Sequence, residues 1–176
     1  ARREASNATP GWEEMRARAR AIKSHTVANL DHYLGEVETR VTEAGGTVHW
    51  CRTAAEARSQ ILRICKQAGA ETVTKSKSMI GEEIAINEHL ETHGVEPVET
   101  DLGEYIIQLR HEKPFHIVGP AMHLSAGQVS DTFYEAHKAH GRTEKVEDKA
   151  KLVEEARIVL RERFKNADVG ITGANF

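Results

Sequence analysis

The chain has 176 residues, of which 39% are apolar and 29% charged, and its formal net charge at neutral pH is −3. This composition is typical of a globular domain with a sizeable core, and the small acidic excess gives no indication of nucleic-acid binding. No apolar run is long enough to cross a membrane, and the N-terminus lacks the apolar centre of a signal peptide. We therefore expect a cytoplasmic protein with no membrane span.

A long helical segment is predicted at the start of the chain. Apolar residues recur at spacings of three and four over residues 11–44, which places them on one face of a helix. Gly35 is the expected position of a bend or a division, and the pair Gly45 and Gly46 is typical of a helix end. Residues 1–46 are thus predicted to be an N-terminal helical segment.

Predicted strands and helices alternate in the rest of the chain, residues 47–176. The predicted strands cover residues 47–51, 71–75, 95–100, 115–119 and 168–172, and the helices cover about 53–67, 82–93, 101–109, 125–140 and 146–165. Pro97 indicates an edge strand, because proline has no N–H for a sheet hydrogen bond. This alternation predicts an α/β domain with a mostly parallel open sheet and flanking helices.

Local patterns support three of the helix starts and suggest a role for the cysteines. Capping pairs are predicted at Thr53 with Glu56, Asp101 with Glu104, and Ser125 with Gln128. The two cysteines, Cys51 and Cys65, are too few for the cysteine run of an iron–sulfur protein. Both are predicted to be small buried side chains, Cys51 at the end of a strand and Cys65 on a helix.

The loop after the second predicted strand, KSKSMIG, has the composition of an anion-binding loop. In open α/β sheets, ligands bind beyond the carboxyl ends of the strands. Lys75, Ser76, Lys77 and Ser78 offer two ammonium groups and two hydroxyls for a phosphate or carboxylate, and Gly81 is the expected N-cap of the next helix. The loop is not a P-loop, because the glycine and lysine spacing of that motif is absent. An exposed polar turn explains the composition equally well.

Two further strand-end loops carry candidate residues. His123, in VGPAMHLS, is the candidate general acid or base, although a surface histidine has the same sequence signature. Asn175, in GITGANF, is a candidate ligand-binding residue or a partner of its own backbone. Gly170 and Gly173 in the same loop allow a close backbone approach.

Other polar patterns favour structural roles. His89 and His93 have a metal-binding spacing, but no third ligand is evident and both lie in the last turn of a helix, where positive charge is favoured. No metal site is therefore predicted. His137 and His140 are expected on a solvated helix face, and the basic run of residues 16–23 is read the same way. The dinucleotide fingerprint and the nucleophile elbow are both absent.

Three segments give the sequence a family resemblance. TKSKSMIGEEIAINEHLETHGVEPVETDLGEYIIQL, PFHIVGPAMH and ADVGITGANF resemble the lactate utilization protein B family, whose members carry an LUD domain and are often named iron–sulfur cluster-binding proteins. The family pattern falls on Lys75, Ser76, Lys77, Ser78, Glu82, Glu83, Asp101, Glu104, Tyr105, Pro120, His123, Gly173, Asn175 and Phe176. Gly81 stands where the family has threonine, and Leu124 stands where it has a basic residue, which weakens an anion site at that loop.

The resemblance implies a fold and a function. The fold is expected to be similar to that of sugar-phosphate isomerases and CoA transferases, the NagB/RpiA/CoA transferase-like fold. The function is expected to be the oxidation of L-lactate to pyruvate together with lactate utilization proteins A and C. The family's [4Fe–4S] clusters are expected in a C-terminal ferredoxin-like region, so no cofactor is expected in this chain, and the LUD domain is expected to be incomplete at Phe176.

Two other functions remain open. The chain is alternatively a non-catalytic docking module of the lactate-oxidising complex, with an exposed apolar patch on its N-terminal helix. A stand-alone sugar-phosphate or acyl-CoA enzyme is a third possibility, argued from the fold alone.

Overall fold

The computed structural model describes residues 2–116, 118–138, 141 and 144–174. The chain divides into two compact units, Ala1–Trp50 and Cys51–Phe176. Within the described ranges, no helix has both the length and the apolar character that a membrane span requires.

The first unit contains the helices α1 (Arg2–Ala8), α2 (Trp12–Ala28) and α3 (Leu30–Glu43). The predicted long helix is divided at Asn29, whereas Gly35 lies inside α3. The Asn29 side chain donates a hydrogen bond of 2.8 Å to the carbonyl of His25. A hydrogen bond from an asparagine side chain to a nearby backbone carbonyl competes with the helix and favours a break. Gly35 has no side chain that could form such a bond.

The end of α3 follows the prediction, but the strand predicted after it does not form. Gly45 has a left-handed φ of 84°, and the Gly46 N–H donates to the Val41 carbonyl at 2.8 Å. Residues 47–51 form no strand, because no described backbone hydrogen bond joins them to a neighbouring strand. The predicted burial of Cys51 is therefore wrong, and its side chain is exposed.

The second unit is an α/β domain. Its elements, in chain order, are α4 (Ala54–Gln67), β1 (Thr72–Lys75), α5 (Met79–Glu83), α6 (Ile86–Thr92), β2 (Glu96–Glu99), α7 (Leu102–Leu109), α8 (Ala126–Ala136), α9 (Lys149–Asn166) and β3 (Val169–Ile171). The described strands form a parallel sheet in the order β2-β1-β3. The predicted α/β class with a parallel open sheet is confirmed, and three of the predicted strands are present.

The segment predicted as the fourth strand is a loop in its described residues, 115, 116, 118 and 119. The Phe115 N–H donates to the Pro120 carbonyl at 3.0 Å, and the ring of His116 accepts from the N–H groups of Val118 and Gly119. These backbone groups are thus bonded within the loop, and Phe115 and Val118 are exposed. A sheet position would need them to face a neighbouring strand instead.

The helix predicted over residues 82–93 is split into α5 and α6 by Ala85, whose φ is 50°. The carbonyl of Ile84, which a continuous helix would bond internally, accepts a hydrogen bond of 2.9 Å from Arg58. This contact comes from another helix, so no local sequence signal reports it. The three predicted N-caps, Thr53, Asp101 and Ser125, are all confirmed by side-chain hydrogen bonds to their helices.

Helices cover both faces of the sheet. The register sets Val73 beside Pro97 and Val98 beside Thr74, so Val73 and Val98 point to opposite faces. Val73 packs with Cys65 and with residues of α6, which confirms that Cys65 is buried. Val98 packs with residues of α7, α8 and α9. The carboxyl ends of β1 and β2 therefore lie between two packed layers.

The outer edge of β2 is closed by the side chain of Gln108 on α7. Its Oε1 accepts from the Glu99 N–H at 2.9 Å, and its Nε2 donates to the Pro97 carbonyl at 2.7 Å. Pro97 itself has no N–H. The predicted edge position of this strand is confirmed in the described sheet.

Candidate functional site

A buried ion pair joins the carboxyl ends of β1 and β2. Lys75 and Glu99 are the last residues of the two strands and are paired in the register. Lys75 Nζ lies 2.8 Å from Glu99 Oε1 and 3.1 Å from Glu82 Oε1. The Lys75 side chain is 1% exposed and that of Glu99 is 3% exposed. The charge of Lys75 is therefore already matched by two carboxylates.

Burial and neighbouring polar groups shift the pKa values of both Lys75 and Glu99. Burial alone would lower the pKa of Lys75, but the hydrogen bonds and charges of Glu99 and Glu82 outweigh it and hold the pKa above its usual value. Burial raises the pKa of Glu99, which Lys75 and Asn87 oppose only in part. Asn87 donates to Glu99 Oε1 at 2.7 Å, while the buried Oε2 of Glu99 has no partner among the described residues.

A second and looser ion pair lies at the start of α7. Lys77 Nζ is 3.6 Å from Asp101 Oδ1 and 3.5 Å from Glu104 Oε1, which exceeds the length of a charged hydrogen bond. The Lys77 side chain is 29% exposed, whereas that of Glu104 is 8% exposed. Burial is the main cause that raises the pKa of Glu104, and the negative charge of Glu82 adds to it.

The serines of the loop have structural partners. The Ser76 hydroxyl donates to Thr172 Oγ1 at 3.0 Å and so ties the loop to the chain after β3. Ser78 is the N-cap of α5 and accepts from the Gly81 N–H at 3.0 Å, so the predicted N-cap role of Gly81 is wrong. A Cβ on Gly173 would lie 2.6 Å from the Cβ of Ser78, which confirms the close approach predicted there.

His123 lies apart from the lysines in its described contacts. Its Nε2 is 3.1 Å from Glu112 Oε2, and its ring packs on Phe115 with 5.2 Å between centroids. A hydrogen bond from Arg110 and then the contact with His123 hold the pKa of Glu112 below its usual value. Proton transfer by His123 stays a prediction, and Asn175 lies outside the described residues.

The loop that carries His123 nevertheless begins near the carboxylates that pair with Lys77. A Cβ on Gly103, in the first turn of α7, would lie 3.0 Å from Cδ of Pro120. The loop that follows Pro120 thus starts against the same helix turn that carries Asp101 and Glu104. Pro120 is one of the positions in the family pattern, and its packing against Gly103 is a structural role for it.

Two carboxylates of the site were missed or undervalued from the sequence. Glu99 was not a candidate at all, and the only signal for it was its place at the end of a strand predicted next to the strand of Lys75. Glu104 lies in the family pattern, but its predicted role was to support a helix cap. Asp101 does cap α7, accepting from the N–H groups of Gly103 and Glu104, so that role is confirmed.

The structure tests one of the histidine predictions. In the part of the chain that the structure describes, no group of three His, Cys, Asp or Glu side chains has metal-binding geometry. The predicted solvated position of His137 is wrong. His137 is buried, with Nε2 2.9 Å from the Tyr105 hydroxyl and Nδ1 2.6 Å from Glu155. It ties three helices together, and His140 lies outside the described residues.

The second unit is a parallel α/β domain with charged side chains gathered at the carboxyl ends of its strands, the position at which open α/β sheets bind ligands. The LUD domain family matches residues 34–176, and the chain therefore belongs to the LUD domain family.

The chain is also similar to curated relatives. It is 46% identical to the lactate utilization protein B of Bacillus subtilis over 176 residues, which cover 99% of this chain and 36% of the relative. The identity to the protein of the same name from Bacillus licheniformis is also 46%, and to that from Anoxybacillus flavithermus it is 45%. The chain thus spans 36% of the length of these relatives. The predicted family resemblance is confirmed.

No solved structure matches the chain. The expected likeness to the NagB/RpiA/CoA transferase-like fold therefore stays a prediction.

Proposed function

We propose that this chain is the LUD portion of a protein that takes part in lactate utilization, and that it binds a small carboxylate at the carboxyl ends of β1 and β2. The names of the relatives and the family support the role in lactate utilization. The proposal includes oxidation of L-lactate to pyruvate with lactate utilization proteins A and C. Electron transfer through [4Fe–4S] clusters is assigned to a longer protein that carries the ferredoxin-like region.

The different settings of the two lysines carry the binding proposal. Lys75 is enclosed and makes short ion pairs with Glu99 and Glu82, so its role is to fix the strand ends. The Lys77 side chain is 29% exposed, so a ligand in solution can reach it. An ammonium group on a flexible four-carbon side chain can donate a charged hydrogen bond to a ligand carboxylate. We therefore assign the anion contact to Lys77.

The surrounding loops complete the proposed site. Ser76 lies beside Lys77 and is fixed through Thr172, so its hydroxyl oxygen can accept a hydrogen bond from a hydroxyl group of the ligand. The loop after Pro120 bounds the site next to the first turn of α7. His123 remains the proposed proton-transfer residue, provided that the ligand draws it away from Glu112.

Calorimetric titration of the chain with L-lactate and with pyruvate tests this proposal. Lys77→Met is expected to weaken binding by about tenfold or more, the usual worth of a charged hydrogen bond. Lys151→Met, at an exposed position of α9, is the matched control and is expected to bind like the unaltered chain. Absence of saturable binding by the folded chain would contradict the proposed site.

The docking module is the second candidate function, and the first unit gives it an observation. Neither α2 nor α3 contains a buried residue. Their exposed apolar side chains include Trp12, Met15, Ile22, Leu34 and Val37. Copurification with lactate utilization proteins A and C tests this role. Docking would be favoured over ligand binding by two results together. The Ile22→Asp variant would no longer copurify with proteins A and C, and the unaltered chain would not bind lactate.

A further inference from the structure

The proposed site holds more negative than positive charge. Among the described residues, Lys75 and Lys77 face the four carboxylates of Glu82, Glu99, Asp101 and Glu104, which gives a net charge of −2 when all are ionised. The unpartnered and buried Oε2 of Glu99 adds an acceptor with no described donor. An anionic ligand that enters this site would meet repulsion unless one carboxylate is neutralised.

Glu104 is the carboxylate that the entry of an anion affects most. Its described cationic neighbour is Lys77, from the loop after β1. The other charged groups that face it are Glu82 of α5 and Glu99 of β2, and both are negative. When Lys77 binds a ligand carboxylate, its charge is shared with the ligand and compensates the buried Glu104 less. Glu99 keeps its short contact with Lys75 throughout.

We propose that the site binds a monocarboxylate together with one proton, and that Glu104 holds this proton and donates a hydrogen bond to the ligand. The inference rests on the proposed function, because it describes the same site. A protonated carboxyl group is a donor, whereas a carboxylate only accepts, so proton uptake turns a repulsive neighbour into a binding group. The direction of the Glu104 pKa, above its usual value, agrees with this assignment.

The same charge balance selects the class of ligand. One proton removes one negative charge, which matches the single charge of lactate or pyruvate. A phosphate monoester carries nearly two charges at neutral pH. The site is therefore expected to prefer a monocarboxylate over a sugar phosphate. The composition of the KSKS loop alone does not distinguish between these two ligands.

Titration calorimetry in buffers with different enthalpies of ionisation measures the proton directly. At neutral pH the apparent binding enthalpy of L-lactate is expected to change with the buffer by an amount that corresponds to uptake of about one proton. Affinity is expected to fall as the pH rises. A sugar phosphate is expected to bind at least about tenfold more weakly than L-lactate. The unaltered chain suffices for this test, so it does not depend on the folding of a variant.

Two variants assign the proton. Glu104→Gln is expected to bind L-lactate with no proton uptake and with an affinity that no longer depends on pH, because the amide is a permanent donor. Glu88→Gln, at an exposed position of α6, is the control and is expected to keep the proton uptake. Binding that shows no buffer dependence would overturn this inference and leave the proposed function standing. Absence of any binding would overturn both.

Discussion

Lys75 and Glu99 end two neighbouring parallel strands, and their side chains meet at 2.8 Å in a position from which solvent is almost excluded. Each charge alone would be costly at such a position, because a buried ion without a partner is strongly disfavoured. Together with Asn87 and Glu82 they form a network that joins both strand ends to the two short helices after β1. The integrity of the candidate site therefore depends on this pair.

Removal of one partner of this pair is expected to destabilise the folded chain strongly. Lys75→Met leaves Glu99 buried beside an apolar chain and is expected to lower the free energy of unfolding by about 3–5 kcal/mol. The double variant Lys75→Met, Glu99→Leu removes both charges and is expected to be clearly more stable than the single variant. Urea unfolding of the three proteins measures the difference. A single variant as stable as the unaltered chain would contradict the importance of the pair.

Glu104 is expected to make stability depend on pH in an unusual direction. Its pKa in the folded chain lies above its usual value, so the stability associated with its protonated form is present below the unfolded pKa and is lost as the pH rises through the folded pKa. Glu104→Gln removes this loss and is expected to be more stable than the unaltered chain at pH 7. At pH 4 the two proteins are expected to converge. Thermal unfolding across this range tests the sign.

Glu112 provides the matched comparison, because its pKa is shifted the other way. Arg110 and His123 lower it, so its contribution to stability is present above the unfolded pKa and is lost as the pH falls through the folded value. Glu112→Gln is therefore expected to lower the melting temperature at pH 7 and to have a smaller effect at pH 3. Equal pH profiles for the Glu104 and Glu112 variants would refute at least one of the two assignments.

Position 173 is expected to accept only glycine, because Gly173 packs closely against Ser78. A Cβ at Gly173 would lie 2.9 Å from the backbone Cα of Ser78, so the clash needs a backbone shift. Gly173→Ala is expected to cost about 1–3 kcal/mol of stability, as overpacking usually does. Gly170→Ala is the control, because its nearest neighbouring atom would be 3.9 Å away. Similar losses for both glycines would rule out the contact as the cause.

Asp168 connects the starts of β1 and β3. Its Oδ2 accepts from the N–H groups of Glu71 and Thr72 at 2.9 and 3.0 Å, and these hydrogen bonds lower its pKa. Asp168→Ala is expected to speed hydrogen exchange at these two amides. In the unaltered chain the contribution of Asp168 is present above the unfolded pKa and is lost as the pH falls through the folded one, so exchange protection should weaken in acid. Unchanged exchange in the variant would argue against the two bonds.

The class of the fold was predictable because local patterns specify it. The strands that end at Lys75 and at Glu99 were predicted from β-branched residues and from the alternation with helices, and the N-caps from single side chains. The strands at 47–51 and 115–119 were predicted by the same patterns and are absent over the described residues. A strand also needs a hydrogen-bonding neighbour, and a single sequence carries no direct record of which backbone groups meet.

The charges of the candidate site illustrate the same limit. KSKS was identified as a possible anion-binding loop from its composition, but composition did not reveal that four carboxylates lie within reach of the two lysines. Those carboxylates come from α5, the end of β2 and the start of α7, which only the folded chain brings together. His137 was misplaced for the same reason, because its partners Tyr105 and Glu155 are on other helices.

Gln108 has a consequence for association between molecules. An open sheet edge acts as a template on which a strand from another chain can add, and this is a common start of aggregation. On β2 the outward N–H of Glu99 and the outward carbonyl of Pro97 are already bonded to the Gln108 amide, and Pro97 offers no donor. This amide takes the place of a further strand. Any strand that extends the described sheet is therefore directed to the side of β3.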